Sequence, residues 1–172
     1  PEVLRARPEA RVVIVGSDGP GYGGSPRGGG TWLQKMLDEV GPRLDLDRIL
    51  FVGHIPHDIF INLLQVSRAH VYLTYPLFLS WSLLEAMAAG APIIGSRTPP
   101  VEEFIEDGVH GRLVDFFDVP GWSAAIIDAL ANPDASRPMT QNARRRIVEN
   151  YDLSICVPQW VNFVERHGPV AG

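Results

Sequence analysis

The feature that most constrains this chain is a recurrence: short β-branched apolar runs alternate with segments of helical spacing. Arg11-Val12-Val13-Ile14-Val15-Gly16 stops at a glycine, and Ile49-Leu50-Phe51-Val52-Gly53 repeats that form. His70-Val71-Tyr72-Leu73-Thr74, Ala91-Pro92-Ile93-Ile94-Gly95 and Gly111-Arg112-Leu113-Val114-Asp115 follow. Near-continuous apolar runs, rather than strict alternation, suit strands covered on both faces. Between them, Trp32, Leu33, Met36, Leu37 and Val40 form one helical stripe, and Ile59, Phe60, Leu63 and Leu64 form another. Residues 82–89 are apolar nearly all round and are expected to be buried. Strands alternating with helices call for right-handed βαβ crossovers and a parallel sheet. After Val119 only helical patterns remain, over residues 122–130, 140–149 and 154–166. The expectation is an α/β fold, a doubly wound parallel sheet closed by C-terminal helices.

Bulk properties bound the rest. At 172 residues the chain is long enough for one substantial core and reads as a single domain over residues 1–172. A composition of 45% apolar and 20% charged residues is that of an ordinary globular protein, and a net charge of −5 gives no support to a nucleic-acid partner. No apolar run approaches the roughly 18 residues that a membrane span requires. The single cysteine, Cys156, excludes an internal disulfide framework and the usual zinc spacings. It fits a reducing compartment, so a cytoplasmic location is expected. The chain opens on Pro1-Glu2-Val3-Leu4 with no Met and no signal peptide, and it reads as a fragment whose missing piece lies upstream.

The glycine-rich stretch over residues 16–30 contains Gly19-Pro20-Gly21-Tyr22-Gly23-Gly24, a formal G-x-G-x-x-G directly after a strand. A dinucleotide fingerprint needs its last glycine in the following helix, so that pyrophosphate sits on the helix N-terminus. Here Ser25-Pro26-Arg27-Gly28-Gly29-Gly30 intervenes before helical periodicity begins near Thr31, and Pro20 removes one backbone N–H. A loop at the C-terminal edge of the sheet is the better reading.

The segment that carries chemistry is Thr74-Tyr75-Pro76-Leu77-Phe78-Leu79-Ser80-Trp81-Ser82-Leu83-Leu84-Glu85-Ala86-Met87-Ala88-Ala89-Gly90. A strand ends, a loop crosses, and Ser80 is placed to cap a helix. A helix N-terminus offers free amides and partial positive charge to an anion, and Ser80 and Ser82 add hydroxyl donors. Glu85 lies at least a turn into an otherwise apolar helix, where a carboxylate is costly without a partner. A pair of ribose hydroxyls is one natural partner; a neighbouring Arg or a backbone amide is the other.

Ser82-Leu83-Leu84-Glu85-Ala86-Met87-Ala88-Ala89-Gly90-Ala91-Pro92-Ile93-Ile94 resembles the signature of glycosyltransferase family 4, the group 1 enzymes of the GT-B fold. Val13-Ile14-Val15-Gly16 is similar to that family's early strand and glycine turn, and Phe51-Val52-Gly53-His54-Ile55 to its base-binding loop. Residues 103–114, from Glu103 to Val114, are similar to its "E-x-I-x-D-G-x-x-G-x-L-V" run. The resemblance covers about residues 10–150. It implies a Rossmann-like C-terminal half of a GT-B glycosyltransferase, binding a nucleotide-diphosphate sugar for retaining, hexosyl-type transfer to an acceptor saccharide, lipid or small molecule. No cofactor and no metal are expected.

Position by position, the resemblance implies that Glu85 holds the ribose, that Ser80, Trp81 and Ser82 lie in the turn facing the diphosphate, and that Leu83 beside them belongs to the donor-binding set. Gly16 and Gly53 would let the donor approach, with His54 and Ile55 bordering the base. Glu103 occupies a family glutamate, although the usual Gly-Gly-x-Pro prelude has become Thr98-Pro99-Pro100-Val101-Glu102. The first glutamate of the family's E-x(7)-E motif falls at Leu77, which leaves the catalytic residue unassigned. The family's phosphate-neutralising Arg and Lys, and its acceptor domain, fall upstream of residue 1. Two other readings stay open: a GT-B enzyme of the nucleotide-sugar 2-epimerase kind, and a non-catalytic sugar-nucleotide-binding module.

Three lesser features are read plainly. His54 and His57 are three residues apart, but a solvated loop is preferred to a metal pair. Arg144-Arg145-Arg146 reads as a solvated helix face, with docking to anionic lipid, and so a peripheral membrane contact, as the second reading. Trp160, Phe163 and Val164 form a stripe in the last helix, within residues 151–172. That stripe reads as core, and the family resemblance implies that this helix packs on the missing domain.

Overall fold

The structure is a computed structural model that describes residues 1–19, 24–75 and 79–168. Its elements follow the alternation seen in the sequence. Helix α1 (Glu2–Ala6) leads to β1 (Val12–Val15), α2 (Trp32–Val40), β2 (Ile49–Gly53) and α3 (His57–Val66). Then come β3 (His70–Tyr72), α4 (Trp81–Ala89), β4 (Ile93–Ser96), α5 (Pro99–Glu102) and β5 (Arg112–Val114). Helices α6 (Val119–Ala131), α7 (Arg137–Asn150) and α8 (Leu153–His167) close the chain.

Every strand pairing among the described residues is parallel, as the crossovers demand. Among the described residues the ladders form two groups, β1-β2 and β3-β4-β5, rather than one continuous sheet. Val12 pairs with Ile49 in the first; His70 pairs with Ile93, and Ile94 with Arg112, in the second.

The three-stranded group is covered on both faces. Successive side chains of a strand point to opposite sides, and the core divides accordingly. Ile93 and Leu113 join Tyr72, Leu83, Ala86, Met87, Ala143 and Ile147 in one cluster. Ile94 and Val114 join Trp122 and Ala129 in the other. Helix α4 is the centre of the larger cluster, packed between α3 and α7. Leu83, Ala86 and Met87 are fully buried, which accounts for the all-round apolar pattern. Gly90 ends α4 in the left-handed conformation, at φ 79°.

Two sequence expectations need correction here. The runs of β1 and β2 were read as covered on both faces, yet Val13, Ile14, Val15, Leu50, Phe51 and Val52 remain 36–45% exposed. Helix α2 follows the glycine-rich segment, is capped by Thr31 through Gln34 N–H, and buries none of its residues, so it covers neither strand fully. The stripe on α8 was read as core; Trp160, Phe163 and Val164 are instead 56–68% exposed, and no residue of α8 is buried. The basic run on α7 was read as a solvated face or a lipid contact. Arg144 and Arg145 are exposed, as a solvated face requires; Arg144 also donates to the Ala88 carbonyl, and the half-buried Arg146 donates to the Glu103 carbonyl.

The segment from Glu103 to Val114 proves to be a clamp at the C-terminal edge of the sheet. Arg97 Nη2 donates to Asp107 Oδ2 at 2.6 Å and to the Leu113 carbonyl at 3.1 Å, while Asp107 Oδ1 accepts from Leu113 N–H at 2.9 Å. Gly108, at φ 77°, makes the reversal that brings its N–H to the Gly111 carbonyl. Among the described residues no helix is long and apolar enough to cross a membrane.

Candidate functional site

The site is built where β3 gives way to α4. Leu77 and its neighbours Pro76 and Phe78 lie outside the described residues; the connection is tied down on either side of them. Ser96, fully buried at the end of β4, accepts from Thr74 N–H at 3.3 Å and donates to the Thr74 carbonyl at 3.3 Å. Tyr72, buried in the larger core cluster, accepts from Ser80 N–H at its hydroxyl, at 2.9 Å. The start of α4 is therefore fixed by the sheet beneath it.

Ser80 then caps the helix as its position predicts. Its Oγ accepts from Ser82 N–H at 3.4 Å and from the Ser82 hydroxyl at 3.1 Å. A hydroxyl has one donor and two acceptor positions. Ser80 is exposed, so its hydroxyl is free to donate to a ligand while Ser82 fills both acceptor positions. Leu83 N–H donates to the Ser80 carbonyl at 3.1 Å.

These bonds narrow the cradle that the sequence suggested. The amides of Ser80, Ser82 and Leu83 are already engaged within the protein, and the Leu83 side chain belongs to the core. Among the described residues, no acceptor meets the Trp81 amide. What α4 offers an anion is that amide, the Ser80 hydroxyl and the partial positive charge at the start of a nine-residue helix. The Trp81 side chain is 81% exposed.

Glu85 emerges one turn further on. Its carboxylate Oε1 lies 2.7 Å from His57 Nε2, and its side chain is about a third exposed. The sequence left Glu85 between a ribose and a neighbouring Arg or amide. The structure supplies a different protein partner, the first residue of α3, 28 positions away in the chain. His57 had been considered only as half of a histidine pair with His54, and nothing in the spacing links it to Glu85.

The remaining candidates fall into two places. Gly16 and Gly53 meet at the C-terminal ends of β1 and β2, where Gly16 N–H donates to the Gly53 carbonyl at 2.9 Å. Their φ angles of 138° and 63° favour glycine, although a Cβ at either would meet no atom within 4 Å. His54, exposed, and Ile55, half-buried, continue from Gly53 toward His57, so the turn after β2 and Glu85 are joined through that histidine. Glu103 is exposed at the end of α5, and no hydrogen bond among the described residues joins it to Ser80, Ser82 or Glu85. Residues 20–23 of the glycine-rich motif lie outside the described residues. Gly24 precedes the first residue of α2 by eight positions and accepts from its Trp32 Nε1, so the last glycine is not in the helix, as the loop reading requires.

Comparison with known proteins supplies the family. The sequence model of the glycosyl transferases group 1 matches residues 1–146. Glycogen synthase of Mycobacterium tuberculosis is 29% identical over 152 residues, covering 88% of this chain and 34% of that protein. The chain thus spans about a third of that relative's length. Among solved structures, Anabaena Alr3699/HepE in complex with UDP superposes with a TM-score of 0.79 at 17% identity, over 96% of this chain and 44% of its own. The C-terminal domain of a group 1 family glycosyl transferase, LpcC of Francisella tularensis, superposes with a TM-score of 0.71 at 20% identity, over 88% of this chain and 74% of its own.

Proposed function

The chain belongs to the group 1 glycosyl transferases, and from that membership we propose that it is the donor-binding half of such an enzyme. It holds a nucleotide-diphosphate sugar for transfer of the glycosyl group, with retention of configuration, to an acceptor carried by a second, upstream domain. The observation that carries this reading is the arrangement at α4: an exposed Ser80 hydroxyl and a Trp81 amide that meets no acceptor among the described residues, with the Glu85 carboxylate one turn beyond.

The chemistry follows from that spacing. A diphosphate at the helix start receives hydrogen bonds and dipole stabilisation, and these grow in value as negative charge builds on the leaving group during transfer. Glu85 is then within a nucleotide's length of the phosphates, and its carboxylate accepts from both hydroxyls of a ribose. The cradle is open surface here. Closing a second domain over it would exclude water and suppress hydrolysis of the donor. The UDP complex of a protein sharing this fold supports a nucleoside diphosphate as the ligand class.

The test is a calorimetric and thermal-shift panel of UDP, ADP and GDP and their sugars on the full-length protein. One nucleoside diphosphate is expected to raise the melting temperature by mass action, and Glu85→Ala is expected to abolish most of that rise. Equal shifts in the parent and the Glu85 variant would overturn the assignment.

A further inference from the structure

We infer that His57 is a positioning residue for this site: it holds the Glu85 carboxylate in the orientation that receives the ribose hydroxyls, an inference that rests on the donor-binding reading above. Glu85 projects from a helix whose other residues from Leu83 to Ala89 are apolar and offer its carboxylate no side-chain partner. A partly exposed glutamate samples several rotamers, and ordering them on ligand binding reduces affinity. The 2.7 Å bond to His57 Nε2 does that ordering before the ligand arrives.

The bond leaves the carboxylate room to act. An ionised carboxylate only accepts, so Nε2 carries the shared proton. A carboxylate has about four acceptor positions, and His57 occupies one of them on Oε1. Among the described residues nothing else meets this carboxylate, so Oε2 and the second position on Oε1 are open to two hydroxyls. The contact also crosses the site. His57 opens α3 just beyond Gly53, His54 and Ile55, while Glu85 belongs to α4, so one hydrogen bond couples the turn assigned to the base with the carboxylate assigned to the ribose.

The experiment is isothermal calorimetry on the full-length protein with UDP, ADP and GDP. The tightest of the three is then compared with its 2′,3′-dideoxy counterpart. Glu85→Gln is expected to weaken the parent nucleotide about ten-fold and His57→Ala about three- to five-fold, in keeping with a charge-assisted hydrogen bond at a partly exposed position. The His57→Ala loss is expected to vanish against the dideoxy nucleotide, which has no hydroxyls to receive. His57→Gln, whose side-chain amide still donates, is expected to restore most of the affinity. If His57→Ala weakens both nucleotides equally, tightens either, or changes nothing while Glu85→Gln still weakens binding, the positioning role is overturned and the donor site stands. If none of the three nucleotides binds, or Glu85→Gln has no effect, the donor-binding reading itself fails and the role of His57 falls with it.

Discussion

The Tyr72 hydroxyl accepts the Ser80 amide at 2.9 Å, so a buried residue of β3 sets the point from which α4 starts. Tyr72→Phe keeps the ring in the core and removes only that acceptor. The Ser80 amide then has to find water, and the change is expected to cost about 1 kcal/mol of stability and to weaken nucleotide binding several-fold. Urea unfolding and calorimetry on the same variant check both. Unchanged binding would mean that the sheet does not position the cap.

Leu83→Ala tests the inner face of the same helix. Leu83 is fully buried in the larger core cluster, and its removal leaves a cavity beneath α4. A loss of about 2–5 kcal/mol is expected, read as a lower urea midpoint with an unchanged slope. Ser82→Ala on the outer face is expected to cost less than about 1 kcal/mol. Similar losses for the two would contradict the division of α4 into a core face and an outer face.

Asp107 governs the acid limb of stability. Partial burial opposes its ionisation, but the Arg97 hydrogen bond, the Leu113 amide and the charges of Arg97 and Arg112 outweigh that and hold the carboxyl below its ordinary value. An acid lowered in the folded state stabilises the fold above its unfolded pKa, and that contribution is lost as pH falls through the folded one. The contribution is therefore complete above about pH 4 and disappears in stronger acid. Asp107→Asn is expected to lower stability at neutral pH and to flatten the acid limb. Parallel curves for parent and variant between pH 6 and 2 would refute this.

His70 acts at higher pH. Burial pushes its imidazole below the ordinary value, and its Nε2 is buried with no hydrogen-bond partner among the described residues. His110 is lowered too, by burial and by the charge of Arg146. A base lowered in the folded state stays neutral there while the unfolded chain takes up a proton, so stability falls as pH drops below about 6.5. His70→Phe is expected to reduce that slope between pH 6.5 and 5, measured by thermal melting across a buffer series. An unchanged slope would place the proton uptake elsewhere.

Much of this architecture was legible from residue pattern. The stripe from Trp32 to Val40 became α2 residue for residue, and Ile49 to Gly53 became β2. Apolar period and glycine stops are local properties, and local order follows them. Ser80 was legible as a cap for the same reason. Helix α1 spans only Glu2–Ala6, too short to carry a period, and α5 hides behind Pro99-Pro100, which reads as a turn. The His57–Glu85 bond was not legible because it depends on how α3 lies against α4. The exposure of Trp160 is the same kind of fact, since an apolar stripe states what should be covered and not what covers it.

The division of the sheet has a dynamic consequence. Gly16 and Gly53 sit at the ends of two paired strands whose side chains are still partly wetted, whereas Ser80 rests on three strands sealed by α4, α6 and α7. Local opening costs least where little apolar surface is buried. Amide hydrogens of Val13 and Phe51 should thus exchange with deuterated solvent sooner than that of Ile94. A nucleotide touching both parts would act as a splint, slowing exchange in the softer one and leaving the harder one as it was.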